Sequence, residues 1–173
     1  MKRRIALATA CPILLILLGA GNFPLLPQEE IPALQARFDQ ETNSREKTRL
    51  LVRLGNAQFL ESRYAGHRGD YMTVGFLMEK YRDNVRIAFG MLRKNHPKAE
   101  SDYGGYRTME LHLHKSLHEL EETIFVAPPE YHPPLQLVRK DLEEIEDELL
   151  RLLFPRRPGE KAPAPPKTDP PPK

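Results

Sequence analysis

Apolar side chains recur at helical spacing in four long stretches of this chain, and this pattern constrains the fold more than any other feature. The clearest stretch steps alternately by three and four residues through Leu135, Val138, Leu142, Ile145, Leu149 and Leu152. Steps of this kind place apolar side chains on one face of an α-helix. We find no convincing alternating strand pattern, so the sequence predicts an all-α protein.

The three other long stretches are bounded by residues that start or end helices. Asn43 with Glu46 three residues later resembles a capping box, and Asp70 is a preferred cap for the next helix. His96-Pro97 ends that helix, and Gly104-Gly105 predicts a connection to the following one. The expected apolar faces are Leu50, Leu54, Ala57, Leu60 and Tyr64; Val74, Leu77, Met78, Tyr81, Val85, Ala88 and Leu92; and Met109, Leu113, Leu117, Leu120 and Ile124.

Long amphipathic helices joined by short loops predict an up-and-down bundle of four to five helices over residues 31–154. Pro32 in a first turn, with Ile31, Leu34 and Phe38 at helical spacing, indicates a shorter helix at its start. Two arrangements fit this region, a separate short helix or one long bent helix. We expect Phe154 to help close the core, and residues 22–30 to form a linker before the bundle.

Residues 1–21 have the order of a secretory signal peptide. Lys2, Arg3 and Arg4 precede an apolar run of 16 residues from Ile5 to Ala20, and small residues follow. A membrane span needs roughly 20 residues. Cleavage after Gly21 places Gly19 and Gly21 at the two positions of a signal-peptide cleavage site that take small residues. The sequence therefore predicts export to the periplasm or the medium, with no stable membrane span after cleavage.

Two alternatives to a cleaved signal remain open. An uncleaved signal anchor would extend the apolar run through Leu25 and Leu26, although Pro12 and Pro24 are poor residues for a helix interior. Lipidation of Cys11 would use Ala8-Thr9-Ala10-Cys11 as its recognition sequence, although most of the apolar run follows the cysteine. Both alternatives would hold the chain at a membrane.

Charge and cysteine content exclude several classes of function. The chain has 26 Lys+Arg and 24 Asp+Glu, and removing Lys2, Arg3 and Arg4 leaves 23 against 24, so the balance does not indicate a nucleic-acid-binding protein. Because Cys11 is the only cysteine of the sequence, the chain cannot form a disulfide framework or a four-cysteine zinc site by itself. Without a phosphate loop or nucleophile elbow, we assign no catalytic residue and no cofactor.

Residues 155–173 have the composition of a disordered, proline-rich basic tail. Eight of these 19 residues are proline, five are basic and two are acidic. A segment without large aliphatic or aromatic side chains cannot bury enough apolar surface to offset the entropy of ordering it. The sequence predicts either a solvated tail without a specific partner or a weak ligand for an anionic envelope surface.

The most specific polar pattern is the row Glu110, His114 and His118, continued by Glu121 or Glu122. Histidines four residues apart face the same way on a helix and can chelate one metal ion. The row lies at the border of the leucine stripe and turns outward. The metalloprotease motif His-Glu-x-x-His has a glutamate directly after its first histidine, and this chain has Lys115 at that position. The interpretations are a polar helix flank, adventitious metal binding or a functional metal site, and the sequence favours the first.

From Phe38 to Pro158 the chain resembles a group of predicted secreted bacterial helical proteins of unknown function. The residues that carry the resemblance are Glu41-Thr42 to Leu54-Gly55, Gly69-Asp70-Tyr71, Tyr81-Arg82, Gly105-Tyr106-Arg107 to Leu120, and Leu153 to Gly159. The resemblance implies export and helical architecture, and it brings no activity or ligand.

The function predicted from these observations is a non-enzymatic interaction or scaffold module of the bacterial envelope, with an envelope protein or an anionic envelope surface as partner. The alternative is a helical bundle that binds a metal or a small ligand through Glu110, His114 and His118. An enzyme ranks third.

Overall fold

The structure, a computed structural model, describes residues 30–99 and 103–155, and this part of the chain contains helices and loops but no strand. The predicted all-α fold is confirmed. The predicted signal peptide, the linker before Glu30 and the tail beyond Pro155 lie outside the described residues. The helices are α1 (Ile31–Gln40), α2 (Ser44–His67), α3 (Tyr71–Asn95), α4 (Tyr103–Val126) and α5 (His132–Leu153), with a 3-10 turn at Pro129–Tyr131.

The helices run up and down, but their order in space differs from their order in the chain. Around the bundle the order is α2, α3, α5 and α4, because α3 packs against α2 and α5 and lies diagonally opposite α4. Contacts between α2 and α4 advance along both helices, from Gly55 beside His112 to Arg63 bound to Glu119, so these two neighbours are parallel. Helices α2 and α4 are therefore direct neighbours in the bundle.

Two polar side chains cap the long helices at the predicted positions. Asn43 Oδ1 accepts from the backbone N–H groups of Arg45 at 3.0 Å and Glu46 at 3.2 Å. Asp70 accepts from the backbone N–H of Thr73 at 3.1 Å and from its hydroxyl at 2.7 Å, and these bonds lower the pKa of the Asp70 carboxyl. Both caps satisfy donors that a helix start leaves free.

The core confirms the predicted faces of α3 and α4, since every apolar residue expected there is buried. On α5, Leu135, Val138, Leu142 and Leu149 are buried, whereas Ile145 and Leu152 are half-buried. None of the described helices combines the length and the apolar character needed to cross a membrane.

Three local expectations were wrong. Tyr64 is exposed, because α2 is covered by α3 and α4 on a face that also buries Gln58 and Ser62. Gly104 and Gly105 lie in the first turn of α4 rather than in a connection; a β-carbon at Gly105 would come within 2.8 Å of a Leu92 side-chain carbon, so close packing explains its small size.

Phe154 is exposed rather than part of the core, because the backbone leaves the helical conformation at this residue (φ −130°, ψ 67°).

Helices α1 and α2 are separate. The break lies at Glu41, whose carboxylate accepts from the backbone N–H groups of Thr42 and Asn43 at 2.8 Å each. Of the two arrangements that the sequence allows, the structure therefore has the separate short helix and not the single long bent helix.

Candidate functional site

The predicted metal row lies along the edge of α4 that faces α5, but its members contact different partners. Glu110 is buried and accepts from Arg107 Nη1 at 2.6 Å. His114 Nδ1 lies 3.0 Å from an oxygen of Glu146 on α5, and the histidine side chain is 77% exposed. The row thus runs from the core at Glu110 to solvent at His114, as the helical wheel predicts.

His118 continues the row at the surface. Its Nε2 lies 3.5 Å from Glu122 Oε1, and its side chain is 75% exposed. Glu121 lies 3.9 Å from Arg139 Nη1. Within residues 30–99 and 103–155, no group of three or more His, Cys, Asp and Glu side chains converges as a metal site would. Metal binding by Glu110, His114 and His118 stays a prediction.

The structure places a different histidine, His112, inside the bundle between α2, α3 and α4. Its ring packs edge-on to Tyr81, with centroids 5.8 Å apart, and Tyr81 packs edge-on to Phe59 at 5.0 Å. A β-carbon at Gly55 would lie 2.5 Å from His112 Nε2 and 2.8 Å from a Tyr81 ring carbon. Only glycine leaves room at this point of α2 for the two rings.

Burial holds both rings of this cluster uncharged at neutral pH. Removal from water lowers the pKa of His112 to about 4, and the nearby Lys115 ammonium acts in the same direction. Burial raises the pKa of Tyr81 far above its ordinary value. Neither group exchanges a proton near pH 7, so the cluster is unsuited to acid–base catalysis.

Four buried polar atoms in the described part of the chain have no hydrogen-bond partner: Gln58 Oε1, Ser62 Oγ, Tyr81 OH and His112 Nε2. Gln58 and Ser62 lie one turn apart on α2, and His112 lies on the neighbouring helix α4. Sequence analysis missed them because it followed large apolar residues. The signal for them in the sequence is the recurrence of Gly55, Gln58 and Ser62 at helical spacing, which indicates a second face on α2 without large apolar side chains at these positions.

Large apolar side chains are exposed at the end of the bundle where α2 turns into α3 and α4 into α5. Phe125 is 87% exposed, Met72 73% and Val126 67%. The hydroxyl of Tyr71 donates to the backbone carbonyl of Val126 at 3.3 Å, so the start of α3 contacts the end of α4. We call Met72, Phe125 and Val126 the apolar end.

Acidic side chains predominate around the apolar end. The helix ends and turns next to the apolar end carry several exposed carboxylates, and their exposed arginines are Arg63 and Arg68. Of these two, Arg63 is already bound to Glu119 and Arg68 lies 3.4 Å from Glu61. The exposed carboxylates of the surrounding turns are those of Asp70, Glu121, Glu122 and Glu130. Glu121 is paired with Arg139 and Glu122 with His118, which leaves Asp70 and Glu130 without an ion pair among the described residues.

Comparison with known proteins adds no functional assignment. No protein-family model, no curated protein and no solved structure matches the chain. The resemblance to secreted bacterial helical proteins therefore remains an expectation from the sequence.

Proposed function

We propose that the chain is a non-enzymatic interaction module of the bacterial envelope, and that a partner protein binds its apolar end. The observation that carries this proposal is that Met72, Phe125 and Val126, the three most exposed large apolar side chains of the described residues, lie at one end of the bundle. Neighbouring apolar side chains left in water are typical of protein-binding surfaces. The basic, apolar and small residues of the first 21 positions support an envelope location.

The charge around the apolar end favours a particular kind of partner. Asp70 and Glu130, which form no ion pair with the described residues, would repel an anionic surface such as an acidic lipid headgroup layer. They would attract a protein segment that carries apolar side chains flanked by Lys or Arg. Such a partner would bury Phe125 and Val126 and place its cations against the surrounding carboxylates.

Site-specific photo-crosslinking tests this proposal in the producing cell. A photoreactive phenylalanine analogue replaces Phe125, and the matched control carries it at Leu111, which lies on the same helix and is also exposed. We expect a crosslinked protein at position 125 that is absent at position 111. The crosslinked peptide should contain apolar residues next to basic ones.

Direct binding of the purified partner then decides between a functional and an incidental contact. The double variant Phe125→Ser/Val126→Ser should weaken binding about tenfold or more, because central apolar side chains dominate most interfaces. Leu111→Ser should leave the affinity unchanged. Equal crosslinking at both positions, or unchanged affinity of the double variant, would refute the proposed interaction.

A further inference from the structure

The predicted apolar face of α2 is covered along the first half of the helix and open along the second half. Leu50 and Leu54 are buried, whereas Ala57 and Leu60 are half-buried and Tyr64 is 54% exposed. Because these residues recur at helical spacing, they lie along one side of α2. The element that covers this side therefore ends before Tyr64.

Helix α1 is the element that covers the first half of this face. The Lys47 ammonium nitrogen lies 4.8 Å from the centre of the Phe38 ring near the end of α1. Ile31, at the start of α1, lines a groove together with Ala57 and Leu60. Helices α1 and α2 are therefore antiparallel, and the chain ahead of α1 enters the bundle beside the open half of α2.

The groove lies between the start of α1 and the second half of α2, and its volume is about 370 Å³. We call it the α1–α2 groove. Apolar or aromatic side chains from both helices line it: Ile31, Pro32, Ala57, Leu60 and Tyr64. Such a lining favours an occupant that brings apolar side chains of its own.

The charged residues of the α1–α2 groove are both acidic, Glu30 and Glu61. Glu61 Oε1 already lies 3.4 Å from Arg68 Nη2. An anionic occupant would be repelled by these carboxylates, and a cationic one would compete with Arg68 for Glu61. An uncharged occupant avoids both costs.

The chain itself carries an uncharged apolar segment shortly ahead of Glu30. This stretch, Phe23-Pro24-Leu25-Leu26-Pro27, has three large apolar side chains and no charge, and we call it the leading segment. Phe23 and Leu26 each precede a proline, which disfavours the helical conformation at both residues and favours an extended backbone. The sequence therefore favours an extended segment over a continuation of α1.

The leading segment has the length to reach Tyr64. Leu26 lies four residues ahead of Glu30, a distance of about 12 Å in the polyproline II conformation. From Ala57 to Tyr64 the helix rises by about 10 Å. Since Glu30 and Ala57 line the same groove, a segment that follows the open half of α2 brings Leu26 beside Tyr64.

We propose that the leading segment of the exported protein docks in the α1–α2 groove, with Leu26 against Leu60 and Tyr64, instead of serving as a free linker. A segment tethered next to its site has an effective concentration on the order of millimolar, so it is favoured over a separate partner of similar sequence. The inference is independent of the protein interaction proposed above, because the groove contains none of the residues of the apolar end.

Nuclear magnetic resonance of the protein purified from the producing cell tests the docking without any substitution. We expect nuclear Overhauser contacts between the Leu26 methyl groups and the Tyr64 ring, and heteronuclear backbone Overhauser values at Leu25 and Leu26 as high as those within α1. A mixture of labelled and unlabelled protein shows whether the contacts lie within one molecule. Missing contacts, low backbone values or contacts found only between two molecules would each overturn the proposal.

Substitutions in the leading segment test whether its docking stabilises the bundle. Leu26→Ser should lower the melting temperature by about 2–5 °C, because a buried leucine is replaced by a polar side chain. Gln28→Ser is the matched control, since it changes a polar residue of the same stretch, and it should leave the melting temperature unchanged. An unchanged melting temperature in Leu26→Ser would contradict the docking.

A double-mutant cycle assigns the effect of Leu26 to the groove. In a Tyr64→Ser background, Leu26→Ser should lower the melting temperature by less than half as much as in wild type, because its contact is already lost. The matched control background is Tyr103→Ser, since Tyr103 is exposed to a similar degree at the start of α4, and there the full effect should remain. Equal effects of Leu26→Ser in the two backgrounds would overturn the assignment to Tyr64.

Discussion

The imidazole of His112 lies against the backbone of Gly55, so that a β-carbon on this glycine would stand 2.5 Å from Nε2. Non-bonded carbon and nitrogen atoms do not approach this closely in a packed core. Tyr81 on α3 also limits the space beside Gly55, because one of its ring carbons would lie 2.8 Å from that β-carbon. The three helices α2, α3 and α4 therefore meet at a position that requires glycine.

We expect Gly55→Ala to lower the free energy of unfolding by about 1–3 kcal/mol, since an added methyl group must displace two buried rings. The matched control is Gly90→Ala in α3, where no described atom lies within 4 Å of the added carbon. That control should raise stability by about 0.5–1 kcal/mol, because alanine favours a helix interior over glycine. Urea denaturation measures both changes, and a stable Gly55→Ala variant would contradict the close packing.

Burial of His112 makes the stability of the bundle depend on pH. The pKa of His112 is about 4 in the folded protein, against an ordinary value of 6.5. Between these two values the unfolded chain binds the proton and the folded protein does not. The contribution of neutral His112 to the free energy of unfolding is therefore fully present above pH 6.5. It is lost progressively as the pH falls from 6.5 to 4, and the full loss amounts to about 3 kcal/mol.

The variant His112→Leu isolates this effect, because leucine is of comparable size and does not titrate. Urea denaturation of both proteins at pH 7.5, 6, 5 and 4 gives two stability curves. Their difference should change by about 3 kcal/mol across this range, with wild type losing more on acidification. Parallel curves would show that His112 titrates normally and is not held neutral in the core.

The sequence predicts the helices well because each large apolar face packs against a partner. Every apolar residue expected on α3, from Val74 to Leu92, is buried. It predicts α2 less well, since this helix contacts α1, α3 and α4 and buries polar residues such as Gln58. An apolar periodicity cannot reveal a polar face that is buried only because a third helix covers it.

The candidate sites were harder to predict for the same reason. His112 lies about 100° from Leu113 around the helix, outside the leucine stripe, and its burial depends on α2 lying beside α4. In the bundle, α2 and α4 are neighbours while α3 and α4 lie on a diagonal. Nothing in the local sequence specifies which of the possible neighbours a helix takes.

The export prediction can be tested on the intact protein. Because basic, apolar and small residues follow one another in residues 1–21, we expect cleavage after Gly21. Intact-mass spectrometry of the periplasmic or secreted protein should show loss of these 21 residues. Recovery of the complete chain from the membrane fraction would instead support the signal anchor, and a lipid-modified Cys11 would support lipidation.

The row Glu110, His114 and His118 yields the last prediction, which separates a polar helix flank from a metal site. Glu110 is bonded to Arg107 at 2.6 Å, and His114 lies 3.0 Å from Glu146. A metal ion would have to displace Arg107 from Glu110 and Glu146 from His114, and the two imidazoles alone supply half of a tetrahedral zinc shell. We therefore expect micromolar zinc to leave the melting temperature unchanged.

The variants His114→Ala and His118→Ala provide the control for this measurement. A genuine site occupied at one hundred times its Kd would stabilise the fold by about 2.7 kcal/mol. The corresponding rise in melting temperature would disappear in either variant, and also at acidic pH, where protonated histidines no longer ligate. A rise of several degrees that requires both histidines would establish the metal-binding alternative, whereas a rise that persists in both variants would point to zinc bound elsewhere on the chain.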